Sequence, residues 1–592
     1  MKTTEIHILP VIKRIPSKLN YLLLILLIAA AINLSAQEKK IALLYPKNTL
    51  ALPTENTTWL NDNFYRWELF LIQNKYNYEV IDDDDLETGL PSKYALLILP
   101  AVRNLNDEEI SSIKEFMNDG NSVLSTWSMG VYGSEGKWKG WSELEQLFGL
   151  SFISEISQTE ASRIHSIFGG TPLSSNIPPG FRLQVTTYDK PVEVKIISEN
   201  TYPLGYWLNN EIPFEGKELL ERTTSAVYGN YGKGNFVWFG FEFSAVVAAK
   251  EHQKTANTLL NNVISWLTDN LITQIETWPG GSKSAAVLSC DVEFKFDFIN
   301  NALDLLEEEE LPAQFYVLTE SIDLPSFERI KKNGDVGLHG DDHVLFKWQD
   351  YATQYNRLSN GIGIIEKLMK NKPISFRPPE TYYDDVTINV MEDLNVNVLS
   401  SDFIEDRAVP QFINERNQIM IMPKTGFDDY DIFQRLKIVN IQDQSQRYIL
   451  DFMRTYEEGG VYSLNFHTQM QCRNNFINAL RKPIEEIKSR NVWITTHDKV
   501  FDWWRKKDKI KLNSIRTDDK NYIIEIENKG EEEVDDLVIS FYKKDFDDLL
   551  KAQILLEGRN VDYFSDVNSK KLKISIPKIY SREIKRISIG SQ

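Results

Sequence analysis

Residues 284–293 read Ser-Ala-Ala-Val-Leu-Ser-Cys-Asp-Val-Glu, an apolar run that ends in two carboxylates. The apolar part predicts a buried strand over 285–289. Because side chains alternate along a strand, Asp291 and Glu293 are expected on one face and Val292 on the other. Two neighbouring carboxylates either share a metal ion or divide the duties of base and ligand. The end of this strand is therefore predicted to be functional.

Strand-like runs alternate with helical runs from residue 284 to about residue 506. The candidate strands are 285–289, 314–318, 336–338, 396–399, 419–422, 461–466 and 493–496. Seven strands with intervening helices predict a closed βα barrel. Barrel enzymes place their catalytic groups at the carboxyl ends of the strands, so polar residues at those ends are the candidates for a site.

A polar cluster, His339-Gly340-Asp341-Asp342-His343, follows the third of these strands. The four-residue spacing lets both imidazoles face one point if the segment turns helically. Two histidines and one carboxylate form an open metal site, with positions left for water and substrate. On these residues alone, the site suits a hydrolase or a non-haem iron oxygenase.

Three more polar motifs stand at predicted strand ends: Phe376-Arg377-Pro378-Pro379, Ser401-Asp402-Phe403 and Leu464-Asn465-Phe466-His467. With the two earlier motifs, the ordered set resembles the polysaccharide deacetylases of carbohydrate esterase family 4 over about residues 280–506. The resemblance implies a distorted (β/α)7 barrel that removes N- or O-linked acetyl groups from an acetylated glycan. It also implies one divalent metal, which the ligand types suggest is Zn, with Co, Ni, Mn or Fe as alternatives.

The resemblance assigns the metal ligands and the base. It places His339 and His343 on the two histidine ligands and Asp291 on the catalytic base. Val292 stands where the family usually has a metal-binding Asp, and its side chain cannot ligate. The same-face argument nominates Glu293 as the third ligand instead.

The later motifs imply the remaining roles. Arg377 matches the residue that orients the base, Asp402 matches the acid of the fourth motif, and His467 matches the general acid. An acid partner such as Asp402 would keep His467 protonated near neutral pH. Glu380 stands where the family usually has a Tyr whose backbone N–H helps to hold the oxyanion. Residues 428–430, Asp-Asp-Tyr, are a candidate lining of the substrate groove.

Residues 37–272 predict a separate α/β domain. Strands are predicted at 41–45, 78–81, 94–99 and 122–125, with helices at 59–74, 106–117 and 255–267. This alternation predicts a parallel sheet and resembles the flavodoxin-like, glutamine-amidotransferase-like domain. That family uses a nucleophilic Cys after such a strand, but Cys290 and Cys472 are the only cysteines of the chain and both lie later. A thiol mechanism is thereby excluded here, and a non-catalytic binding or assembly module is expected.

The turn-rich stretch 277–282, Thr-Trp-Pro-Gly-Gly-Ser, predicts the boundary before the barrel domain, which is assigned to 280–508. Beyond it, residues 509–592 contain short alternating runs separated by turns, which predict a C-terminal β-sandwich. The chain as a whole is therefore predicted to be an α/β multidomain protein.

Residues 1–36 read as a signal peptide, because basic residues precede an apolar run at 21–32 and a small residue follows it. The run is shorter than the roughly 20 residues of a spanning helix, so cleavage is favoured over anchoring. We expect export to the periplasm or the exterior, without a stable membrane span. The 592 residues include 66 Lys and Arg against 85 Asp and Glu, a net charge of -19, which argues against a nucleic-acid partner.

Three functions stay open at this point. The first is an exported carbohydrate deacetylase. The second is a hydrolase of linear or cyclic non-sugar amides on the same barrel, because the first motif and Glu380 both depart from the sugar-specific pattern. The third is a catalytically degenerate carbohydrate-binding or scaffold protein, suggested by Val292 and by two accessory domains without evident chemistry.

Overall fold

The computed structural model describes residues 40–156, 164–185, 190–208, 222–246, 250–401, 406–413, 418–518, 521–566 and 570–590. The predicted signal segment at 1–36 and the candidate acid Asp402 lie outside these described residues. No helix within them has the length and apolar character needed to cross a bilayer.

The N-terminal part of the chain forms an 11-stranded sheet, with a separate two-stranded hairpin. The strands, of which β5 and β6 are the hairpin, are β1 (Lys40–Tyr45), β2 (Tyr78–Asp82), β3 (Tyr94–Leu99), β4 (Ser122–Thr126), β5 (Tyr132–Gly133), β6 (Lys137–Trp138), β7 (Leu150–Glu155), β8 (Ile164–Ile167), β9 (Phe181–Gln184), β10 (Val192–Ile196), β11 (Thr201–Leu208), β12 (Thr224–Tyr231) and β13 (Gly234–Phe239).

This sheet is only partly parallel. The order β2-β1-β3-β4-β13 is parallel throughout, whereas β12, β11, β8 and β9 extend it as antiparallel strands. The prediction of a parallel sheet therefore holds for one half and is wrong for the other. The physical reason is that antiparallel neighbours need only a tight turn, such as Gly232 and Lys233 between β12 and β13, and no helix marks them in the sequence.

The three helices predicted in this region, at 59–74, 106–117 and 255–267, are present in the structure, whereas its three shorter helices were not predicted. Asn56 and Asn106 each accept a hydrogen bond from a backbone N–H three residues later, which fixes the two helix starts. The helices are α1 (Lys47–Leu50), α2 (Thr57–Gln73), α3 (Asp83–Glu87), α4 (Asp107–Asn118), α5 (Ser142–Phe148) and α6 (Lys250–Leu267). After α6 the chain forms β14 (Ile272–Ile275), which belongs to a different sheet.

The central region forms a nine-stranded sheet in the order β20-β21-β19-β18-β17-β16-β15-β22, with β23 also paired to β15. Except for the short strand β20, all its pairs are parallel, so the carboxyl ends of the strands lie at one edge. The strands are β15 (Ser284–Val292), β16 (Ala313–Leu318), β17 (Gly334–Gly340), β18 (Ser375–Phe376), β19 (Val398–Ser401), β20 (Gln411–Phe412), β21 (Met420–Pro423), β22 (Val461–His467) and β23 (Val492–Thr495).

The predicted closure of the barrel is not made by a strand ladder among the described residues. Instead, the two ends of the sheet meet through single hydrogen bonds. The Val461 N–H donates to the Ala408 carbonyl oxygen at 2.8 Å, and the Ser463 N–H donates to Thr425 Oγ1 at 3.2 Å. Strand β20 was not predicted, and β18 was indicated only by the polar motif at its end, because two-residue strands are too short to show a periodic pattern.

The helices of the central region pack against the face of β15 that carries Val292. Val292 is fully buried in the apolar cluster at this contact, which places it opposite the two neighbouring carboxylates as alternation predicts. The helices are α7 (Ile299–Glu309), α8 (Leu324–Asn333), α9 (Tyr351–Met369), α10 (Asp385–Asp393), α11 (Ile441–Glu458), α12 (Arg481–Lys488) and α13 (His497–Asp508).

The C-terminal region contains two antiparallel sheets, β14-β26-β30-β29 and β24-β25-β31-β27-β28, whose apolar residues share one buried cluster. The sequence did not predict that β14 joins this region, or that a short helix interrupts it. The elements are β24 (Ile510–Arg516), β25 (Tyr522–Asn528), β26 (Leu537–Tyr542), α14 (Phe546–Lys551), β27 (Gln553–Leu556), β28 (Arg559–Asn560), β29 (Phe564–Asp566), β30 (Lys571–Ile576) and β31 (Ile584–Gly590).

Candidate active site

Strand β15 delivers two buried carboxylates to the carboxyl edge of the central sheet. Asp291 and Glu293 are each 2% exposed. In the parallel ladder, Asp291 pairs with His467 of the neighbouring strand β22. Residues far apart in the chain therefore meet because parallel strands end at one edge.

Glu293 lies between the two histidines of the second motif. Its Oε1 is 2.7 Å from His339 Nε2 and 3.0 Å from His343 Nε2. The predicted helical turn between the histidines is absent: β17 ends at Gly340 and the chain reaches His343 through bends. The rings still converge, with centroids 5.3 Å apart.

The geometry of His339 prepares it to act as a ligand. Its Nδ1 lies 2.8 Å from the carbonyl oxygen of Arg377. A carbonyl can only accept, so Nδ1 carries a proton and the ring presents Nε2 to Glu293. Such a backbone partner fixes the tautomer of a metal-binding histidine.

The donor set fits a divalent cation. Ligand atoms of Glu293, His339 and His343 lie within 4.8 Å of one another. Burial raises the pKa of Glu293, but the hydrogen bonds from both histidines outweigh burial and leave this pKa well below its usual range. An ionised carboxylate and two imidazoles are the ligand types of an open zinc site.

Asp291 is held as an ionised group beside this donor set. Its Oδ1 accepts a hydrogen bond of 2.5 Å from Arg377 Nη1, and its Oδ2 accepts one of 3.1 Å from Asn465 Nδ2. Burial raises the pKa of Asp291, but the positive charges of Arg377, His339 and His467 outweigh burial, so the net pKa is lowered. The carboxylate is therefore available to accept a proton near neutral pH.

Arg377 is locked in place around Asp291. Ser400 Oγ accepts hydrogen bonds from its Nε at 3.0 Å and its Nη2 at 2.9 Å, and Ser289 Oγ accepts from Nη2 at 3.0 Å. Its guanidinium also lies 4.2 Å from the ring centroid of Tyr316. These contacts fix the position of the guanidinium beside Asp291.

His467 bridges Asp291 and a second, fully buried carboxylate, Asp429. Its Nε2 is 3.4 Å from Asp291 Oδ2, and its Nδ1 is 2.5 Å from Asp429 Oδ1. The backbone N–H groups of His467 and Gln471 donate to the other oxygen of Asp429, at 2.8 and 3.0 Å. Burial lowers the pKa of His467, but the charge of Asp429 outweighs it and raises this pKa well above its usual value.

Among the described residues, the acid partner of His467 is Asp429. Asp402 was expected to keep His467 protonated, but it lies outside the described residues. Asp429 occupies that role in the structure, whereas residues 428–430 were predicted only to line a groove. Asp429 lies at the start of a short helical turn that runs into a π-helical segment at Asp431–Arg435, and a turn this short shows no periodicity in the sequence.

Glu380 lies on a strained turn at the side of His343. Its side chain is exposed, and its backbone has φ 55, followed by Thr381 with φ 60. The Thr381 N–H donates to the Pro378 carbonyl oxygen at 2.8 Å, which holds this turn. The hydrogen bond to Glu293 raises the pKa of His343, and the charge of Glu380 adds to this effect, so Glu380 borders the donor set.

Two polar side chains that the sequence analysis did not select support the site. Asn465 contacts both Asp291 and Arg377, and Gln469 Nε2 donates to Glu293 Oε2 at 2.5 Å. Strand alternation carried a signal for Asn465, because it lies two residues before His467 and shares its face. Gln469 follows the end of β22 and had no such signal.

Comparison with known proteins matches part of the central region to a family. The polysaccharide deacetylase family model matches residues 281–399. No curated protein sequence matches the chain significantly.

Solved structures with similar folds include two deacetylases that cover 39% of this chain. A probable polysaccharide deacetylase from Pseudomonas aeruginosa PAO1 has 15% identity, 94% of its own chain covered and a TM-score of 0.36. A putative polysaccharide deacetylase from Mycobacterium smegmatis has 17% identity, 93% of its own chain covered and a TM-score of 0.35.

A longer alignment is found with Agd3, described as a novel carbohydrate deacetylase. It covers 93% of this chain and 99% of that chain, at 9% identity and a TM-score of 0.41. The family match spans Asp291, Glu293, His339, His343 and Arg377, so this part of the chain is similar in sequence to polysaccharide deacetylases.

Proposed function

We propose that the chain is an exported, metal-dependent hydrolase that removes N- or O-linked acetyl groups from a polysaccharide or oligosaccharide. One observation carries the proposal: an ionised carboxylate, a protonated imidazole and a three-residue donor set lie in one cluster at the edge of the sheet. The family match at residues 281–399 supports the substrate class. Export rests on the signal-like sequence of residues 1–36.

The residues that would hold the metal are Glu293, His339 and His343. The chemistry supplied by a divalent cation at these residues is Lewis acidity, which lowers the pKa of water and polarises a carbonyl group. Imidazole and carboxylate ligands favour Zn, with Co, Ni, Mn or Fe as alternatives.

The remaining groups divide the proton transfers between them. Asp291 takes the proton of the attacking water, because Arg377 and Asn465 keep its carboxylate ionised and oriented. His467 protonates the nitrogen or oxygen atom of the leaving sugar, which then departs as an amine or a hydroxyl, because Asp429 keeps the imidazole charged. The backbone N–H of Glu380 is the donor assigned to the developing oxyanion.

Acetate release from a panel of acetylated oligosaccharides, with linear and cyclic amides as the second arm, tests this proposal. We expect acetate from at least one N- or O-acetylated sugar and none of the amide products. Cleavage of an amide without acetate release would favour the non-sugar hydrolase instead. Neither product, together with protein that retains no divalent metal, would favour a degenerate binding protein.

The Asp429 contact predicts a specific pH effect. An Asp429→Asn variant should lower kcat by about 10²-fold or more, because His467 loses the charge that orients it and keeps it protonated. Activity falls as pH rises through the pKa of the proton donor. Since the variant lowers this pKa, the alkaline limb of the kcat profile should move to lower pH.

Asp428→Asn is the matched control for this experiment. Asp428 precedes Asp429 but pairs with Lys424, at 2.9 Å, rather than with His467. Its replacement should leave the alkaline limb in place. An unchanged limb in Asp429→Asn would exclude Asp429 as the group that sets the protonation of His467.

A further inference from the structure

An exposed aromatic surface adjoins the donor set. Of the tryptophans, all of which lie within the described residues, only Trp138 and Trp348 are exposed, by 55% and 76%. Trp138 belongs to the hairpin of the N-terminal region, whereas Trp348 follows His343 by five residues in the same loop. A large aromatic side chain this exposed gains little stability from burial, so its position needs another explanation.

The backbone of Trp348 is strained into this position. Its φ is 73, in the left-handed region that bulky residues rarely adopt. Asp384 fixes it: Oδ2 accepts from the Trp348 N–H at 2.7 Å, and Oδ1 accepts from the Thr387 N–H at 3.0 Å, where it caps α10. Backbone strain that the surroundings hold in place is concentrated at functional sites.

Trp348 shares its surface with a second exposed ring and an amine. Lys347 Nζ lies 5.1 Å from the ring centroid of Trp348 and 5.4 Å from that of Tyr382, which is 40% exposed. In the part of the chain that the structure describes, no carboxylate oxygen lies within 4.0 Å of this amine. The surface therefore combines two flat apolar faces with one positive charge.

This surface borders the reacting groups. Tyr382 follows Glu380 by two residues, and the charge of Glu380 acts on His343. Gly340, three residues before His343, lies beside Pro379, because a Cβ built on it would lie 3.7 Å from the proline ring. Trp348 and Tyr382 thus lie on the two loops that carry His343 and Glu380, along which a sugar chain bound at the donor set would continue.

We propose that Trp348, Tyr382 and Lys347 form a sugar subsite beside the reacting position, which accepts a neighbouring ring that is still N-acetylated and disfavours one with a free amine. This inference rests on the proposed function and names its substrate class. The apolar face of a pyranose packs on an indole, and Tyr382 adds a second apolar wall. Lys347 donates to the acetamide oxygen of that ring and repels an ammonium group.

Isothermal titration calorimetry of the full-length, metal-loaded Asp291→Asn protein tests the stacking, because this protein lacks the proposed base and binds the probes without hydrolysing them. The probes are the pentamers of N-acetylglucosamine and of N-acetylgalactosamine and their fully deacetylated counterparts. Trp348→Gly should weaken binding of an acetylated pentamer by about tenfold. Glycine adopts a positive φ without strain, so this variant is expected to fold. Trp348→Phe should retain most of the affinity.

The second exposed tryptophan provides the matched control. Trp138→Ala removes a similarly exposed ring from the N-terminal hairpin and should leave pentamer affinity unchanged. Unchanged affinity on adding Trp348→Gly, or binding of neither acetylated pentamer to the Asp291→Asn protein, would overturn the subsite. Equal losses in Trp348→Gly and Trp138→Ala would do the same.

A charge variant tests the selectivity. Lys347→Gln should reduce the preference for the acetylated over the deacetylated pentamer by about fivefold, because it removes a like charge from the neighbourhood of the ammonium. An unchanged preference would show that Lys347 does not discriminate between the acetylated and the deacetylated pentamer. Binding is measured without turnover, so failure of the subsite and failure of acetate release on the panel are separate results.

Discussion

An Asp291→Asn variant is expected to lose about 10²- to 10⁴-fold in kcat, because an amide cannot take the proton that the carboxylate accepts. Arg377, Asn465 and His467 all approach this side chain within 3.4 Å or less. No other carboxylate of the described site is held in this way by both Arg377 and Asn465. The measurement is acetate release per folded, metal-loaded molecule.

Loss of stability has to be separated from loss of chemistry in this variant. The Asp291–Arg377 pair is buried, and breaking such a pair costs about 3–5 kcal/mol. Glu276→Gln is the matched control, because Glu276 is 5% exposed and lies 2.6 Å from Lys571 in the C-terminal region. It should lower Tm and leave kcat unchanged. Comparable kcat in folded Asp291→Asn and wild-type protein would remove Asp291 from the base role.

A Glu293→Ala variant should lose its bound metal together with its activity. Its carboxylate lies between the two imidazoles, at 2.7 and 3.0 Å, and Val292 beside it is buried in the core. Without Glu293, two neutral imidazoles remain and no anionic ligand balances the cation. We expect metal content to fall from about one ion per chain to well below one, with at least a roughly 100-fold loss in activity.

Elemental analysis after dialysis is the measurement, and Glu320→Ala is its control. Glu320 is an exposed glutamate just after β16, the strand next to β15, and its replacement should leave metal content unchanged. If Glu293→Ala retains the wild-type amount of metal, Glu293 is not a ligand. Asp291 and His467 would then be the next candidates, because they form a second donor group with Glu293.

The N-terminal region shows which structural elements sequence patterns predict and which they miss. The first four strands and the two long helices between them were predicted within a few residues, because helix and strand alternate there with clear caps. The antiparallel half of the sheet was missed, since hairpins carry no helix between their strands. The pairing of β14 with β26 was missed for a related reason: local sequence does not encode a partner 264 residues away, such as Ser540 for Glu276.

By itself, the sequence determined which faces of the strands carry the reactive groups. Alternation along β15 set Asp291 and Glu293 opposite Val292, and position at a strand end selected His339, Arg377 and His467. These properties follow from the local geometry of a strand, which the order of residues specifies directly.

The tertiary structure alone decided which partners these groups have. Asp429 meets His467 across 38 residues, and Arg377 meets Asp291 across 86. Both contacts depend on the packing of parallel strands and on short segments without periodicity, so neither could be read from spacing. Because a pKa depends on the nearest charges and on burial, only these contacts show that the pKa of Asp291 is lowered and that of His467 is raised.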